Sequence, residues 1–151
     1  MASIDRADPV IMGHILAQHR ELHAQMLAVK ACLAAVGPWD AARAAAAREA
    51  LAALRDHLRS HFAQEEQGGF LEESIARMPR LAAPTRRVMA EHPALLAELG
   101  GLIETLEAGD SATVRDRLAA GCEQFMQHLL EHERSENAIV QEGYNEDLGL
   151  D

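Results

Sequence analysis

His61 stands four residues before Glu65, and the same pair returns 71 positions later as His132 and Glu136. On a helix, residues four apart share one face, a turn apart. Each pair also continues an apolar stripe of helical spacing: Ala47, Leu51, Leu54 and Leu58 lead to the first, and Cys122, Phe125 and Leu129 lead to the second. An imidazole and a carboxylate therefore point, twice, into whatever these helices pack against. A sheet cannot satisfy that pattern, and composition agrees: Ala fills 29 positions, aromatics are 3%, and Val, Ile and Thr together number 15.

The repeat extends to whole hairpins. A shift of 71 matches Leu51 with Cys122, Leu54 with Phe125, His57 with His128, and Leu58 with Leu129. A shift of 73 matches Ile15 with Val88, Leu16 with Met89, His19 with His92, Leu22 with Leu95, and Met26 with Leu99. Start and stop signals set the boundaries. The first helix is expected over about 9–36, from Asp8-Pro9 to Gly37-Pro38, and the second over about 40–67, from Asp40 to Gly68-Gly69. A short connector helix over about 70–78 ends at Pro79 and closes one end of the bundle. The third helix should run over about 84–107 with Pro93 kinking or splitting it, and the fourth over about 111–142, capped by Asp110 and ended by Gly143. Tyr144–Asp151 should fray. The expectation is a single all-α domain spanning 1–151, an up-down-up-down four-helix bundle made of two pseudo-repeated hairpins.

Charge narrows the function classes. The net charge is −10 and Lys30 is the sole lysine, so no basic stripe exists for nucleic acid or an anionic membrane surface. No apolar run reaches membrane-span length and no leader is evident, which predicts a cytoplasmic protein. Cys32 and Cys122 lie far apart and are expected to be small buried apolar residues.

Eight histidines do not suit a plain helical domain. His19 replaces an apolar residue between Ile15 and Leu22, and His92 sits just ahead of Leu95, so with His61 and His132 every long helix offers an inward imidazole. Unpaired, such buried groups would cost several kcal/mol. A metal centre compensates: imidazoles with bridging carboxylates suit iron, manganese or zinc. His57 and His128, one turn before His61 and His132, are placed to hydrogen-bond a ligand or relay protons. His14, Glu66 and Glu133 are expected to be solvated. The Glu-x-x-His pairs of ferritin-like carboxylate proteins are absent, and Glu136 breaks a zinc-protease HExxH at His132.

The order His19, His61-xxx-Glu65, His92, His132-xxx-Glu136 resembles the hemerythrin-like, or HHE cation-binding, family over nearly the whole chain. The resemblance implies a four-helix bundle around a non-haem di-iron centre, with Glu65 and Glu136 bridging and histidines in terminal positions; zinc or manganese are possible substitutes. Members bind dioxygen, sense oxygen or iron, or handle peroxide and nitric oxide. Oxygen-carrying members have an HxxxH pair on the third helix, whereas position 96 here is leucine and the pair is His19-xxx-His23 on the first. His23 is therefore the candidate fifth histidine. The resemblance fixes the cofactor better than the function; the expectation is a stand-alone protein binding dioxygen or a related small ligand, with a peroxide-consuming enzyme and an iron or oxygen sensor as the alternatives.

Overall fold

The computed structural model describes residues 2–67, 70–109 and 111–147. The helices are α1 (Ala2–Ala34), α2 (Ala41–Glu66), α3 (Phe70–Arg77), α4 (Ala82–Glu107) and α5 (Ala112–Asp147), with a 3₁₀ turn at Pro79–Leu81 ahead of α4. Among the described residues there is no strand.

Local chemistry explains most boundaries and corrects some. Asp40 accepts from the Arg43 amide and caps α2. The Arg43 guanidinium turns back to the end of α1, donating to the carbonyls of Cys32, Ala35, Gly37 and Pro38 at 2.7–3.0 Å. It thus occupies carbonyls that the helix end leaves unpaired, while Gly37 takes the left-handed turn at φ +117. Arg43→Ala is expected to cost about 2 kcal/mol, the range of charged hydrogen bonds, measured by urea unfolding with an unchanged slope.

Helix α1 begins before Pro9, so that proline lies inside the helix and does not open it. Pro93 likewise sits within an unsplit α4. Its ring is exposed, where water can reach the carbonyl left without an amide partner. The expected Asp110 cap and the Gly68-Gly69 break lie outside the described residues, and the Ser111 hydroxyl accepts from the Val114 amide at the start of α5. Gly143 does not end α5. A Cβ there would stand 3.1 Å from the Ser74 Cβ and 3.3 Å from its Cα, so the glycine opens the space in which α3 packs.

Helices α1 and α4 each pack against both α2 and α5, the arrangement of a four-membered bundle, and α3 lies across α5. Two apolar clusters fill it. The larger joins Leu22, Met26, Leu58, Phe62, Leu95 and Leu129 with residues towards the other end of the bundle. The smaller gathers Ile15, Leu71, Met78, Leu81, Val88, Ile139 and Val140 around α3. Three of the four inward histidines fall between them along their helices: His19 between Ile15 and Leu22, His92 between Val88 and Leu95, His132 between Leu129 and Ile139. No described helix is long and apolar enough to cross a membrane.

Candidate metal centre

His19, His61, His92, His132, Glu65 and Glu136 meet in that layer, each no more than 4% exposed and both glutamates at 0%. Their donor atoms form two groups. One holds Glu65, His92, His132 and Glu136, the other His19, His61 and Glu136, and the donor atoms within each lie within 4.8 Å of one another.

The layer is short of hydrogen bonds. His61 Nε2 is 2.5 Å from Glu65 Oε1, His132 Nε2 is 2.7 Å from Glu136 Oε1, and His92 Nε2 is 3.6 Å from Glu65 Oε2. Yet the Nε2 atoms of all four histidines and both oxygens of each glutamate are buried without a properly directed partner. Lone pairs brought this close, and aimed past one another, suit a shared cation.

The far side of three of the four rings carries the complementary arrangement. His61 Nδ1 lies 2.5 Å from Gln18 Oε1, His92 Nδ1 3.0 Å from Glu66 Oε1, and His132 Nδ1 2.8 Å from Glu91 Oε1. Each of these partners is an acceptor, so the proton belongs on Nδ1 and Nε2 is left bare to bind a metal. Phe62 stacks on His92, with centroids 3.8 Å apart and planes 4° from parallel, and fixes that ring from the apolar side.

Burial and mutual charge shape the metal-free layer. Burial, then the neighbouring Glu65, pushes Glu136 well above the usual carboxylate range. Burial acts on Glu65 in the same sense, but His61 and His92 outweigh it and hold Glu65 well below that range. The two carboxyls are pushed in opposite directions, as adjacent buried carboxylates without a cation between them require. Burial, then the charge of His61, lowers His19 to about 4. Burial also lowers His132, whereas at His92 it is outweighed by Glu65 and Glu66 and the imidazole is raised.

Several expectations change. Glu133 is not solvated: it is 4% exposed, accepts from His23 Nε2 at 2.6 Å, and has Oε2 at 3.6 Å from His19 Nδ1. It faces α1, which packs on α5 and covers that side. Glu66 is half exposed but is tied to His92. His23 belongs to neither donor group, and its Nε2 is engaged by Glu133. His57 and His128 belong to neither donor group; they meet Gln25 at 2.7 Å and Glu98 at 2.9 Å, one turn before His61 and His132. His14 is exposed as expected, and Cys122 is buried while Cys32 is partly so.

Gln18 and Glu91 escaped the sequence reading, although a signal existed. They immediately precede His19 and His92 and are matched by the same shift of 73 that aligns those histidines.

Comparisons with curated proteins and with solved structures return no match. The family model of the hemerythrin HHE cation binding domain matches residues 10–142, and with the buried His/Glu layer lying inside that span, the chain belongs to this family.

Proposed function

We propose that the layer holds two iron ions and binds dioxygen or a related small ligand such as peroxide or nitric oxide. The observation that carries this reading is the convergence of four bare Nε2 atoms and two unpartnered carboxylates in one dry layer. Glu65 turns Oε1 to His61 and Oε2 to His92, and Glu136 belongs to both donor groups, so each carboxylate is placed to span two cations.

Bound iron would supply electrons and a coordination position for the small ligand. The protein's part is to shape the site. Leu58, Phe62 and Leu129, each at most 2% exposed, keep water from the layer. Gln18, Glu66 and Glu91 hold the imidazoles in one tautomer. A groove of about 270 Å³ between α1 and α5, lined by Leu16, His19, His23, Leu130, Glu133 and Asn137, gives a small molecule a path to the His19 side. A peroxide-consuming reaction would ask His57 or His128 to move protons at the centre, and both are occupied one turn before the histidines of the layer.

Metal analysis and absorption spectra of the aerobically purified protein test the proposal. Two irons per chain and charge-transfer bands that change reversibly as oxygen is removed and restored are expected. Rapid oxygen evolution from added peroxide would favour the enzyme. His23→Ala is expected to keep two irons, since His23 lies outside both donor groups; loss of one iron would make His23 a ligand.

A further inference from the structure

One regular difference separates the two hairpins. In each, the histidines of the later helix turn Nδ1 towards the earlier helix. His61 and His57 meet Gln18 and Gln25, at 2.5 and 2.7 Å. His132 and His128 meet Glu91 and Glu98, at 2.8 and 2.9 Å. The shift of 73 places Gln18 on Glu91 and Gln25 on Glu98, so the contact is repeated but its chemistry is not. Amides back the first hairpin and carboxylates back the second.

The other two histidines of the layer follow the same division. His92 has the Glu66 carboxylate at 3.0 Å. His19 has Glu133 only at 3.6 Å, beyond hydrogen-bond length, and that carboxylate is taken by His23. A carboxylate accepting the Nδ1 proton makes the opposite nitrogen a stronger donor to a metal than a neutral amide does.

We propose that the two metal positions are unequal by construction. The position at His92 and His132 binds a divalent cation more tightly and fills first, and the position at His19 and His61 is the weaker and exchangeable one. This rests on the two-metal reading above. Gln18, Glu66 and Glu91 are positioning residues that act through the imidazoles.

Titration of the metal-free protein with Co(II), followed by its ligand-field spectrum, reads each step. Two separate steps are expected. Glu91→Gln should weaken the first by 10-fold or more, and Gln18→Glu should strengthen the second. Glu91 is 50% exposed and Gln18 partly exposed, so neither change places a charge wholly out of solvent. Glu98→Gln makes the same change of charge at His128 and should leave both steps as they are. Two equal steps in the unaltered protein, or equal weakening of both by Glu91→Gln or by Glu98→Gln, would overturn the inequality. Failure to take up two equivalents would instead overturn the two-metal reading.

Discussion

Chelating the bound metal is expected to lower the unfolding free energy by about 4 kcal/mol when free metal had stood about 1,000-fold above its dissociation constant. For a chain of this size that is a fall in Tm of roughly 10 °C. The cause lies in the layer itself. The bases and carboxylates of His19, His61, His92, His132, Glu65 and Glu136 are buried without directed partners, so the metal-free bundle bears their desolvation with little return. Calorimetry with and without chelator measures the effect. A melting temperature indifferent to chelation would mean that the layer is satisfied without a cation. A large loss of helicity along with the fall would bring the sensor reading forward.

Glu136→Gln is expected to abolish that response, because Glu136 is the residue common to both donor groups. Its effect on the metal-free protein is the reverse of a typical core lesion. Burial and Glu65 raise Glu136 in the folded state, so the folded protein binds this proton more tightly than the unfolded chain. The group's contribution to stability is therefore complete below the unfolded value of about 4.5 and is lost as pH rises through the folded value. Glutamine resembles the protonated acid and does not titrate. The metal-free variant should gain on the unaltered protein as pH rises above about 4.5, by at most about 1.4 kcal/mol per pH unit. Urea unfolding of both proteins from pH 4 to 8 gives the difference directly. A constant gap would show that Glu136 does not hold a proton in the metal-free layer.

The six converging residues were legible because they obey helical periodicity. His61 and Glu65 continue the stripe of Leu58, and His132 and Glu136 that of Leu129, so the face they occupy follows from spacing alone. Periodicity gives the face of a helix but not the neighbour that covers its flank. Glu133 lies off the stripe of α5 and looked solvated, yet α1 packs over that flank and buries it against His19 and His23. Gln18 and Glu91 stand beside the stripe too, and their role depends on a ring from another helix reaching across to them. The same limit applies to Gly143, which read as a helix stop and is a contact point for α3. Pro9 and Pro93 are strong local signals that the longer helices override.

Anomalous diffraction at the iron edge, from crystals of protein loaded anaerobically with Fe(II), tests the central claim most directly. Two peaks are expected, both inside the layer between the apolar clusters, one beside His92 and His132 and the other beside His19 and His61. Peaks confined to the protein surface, with none among these four histidines, would contradict it.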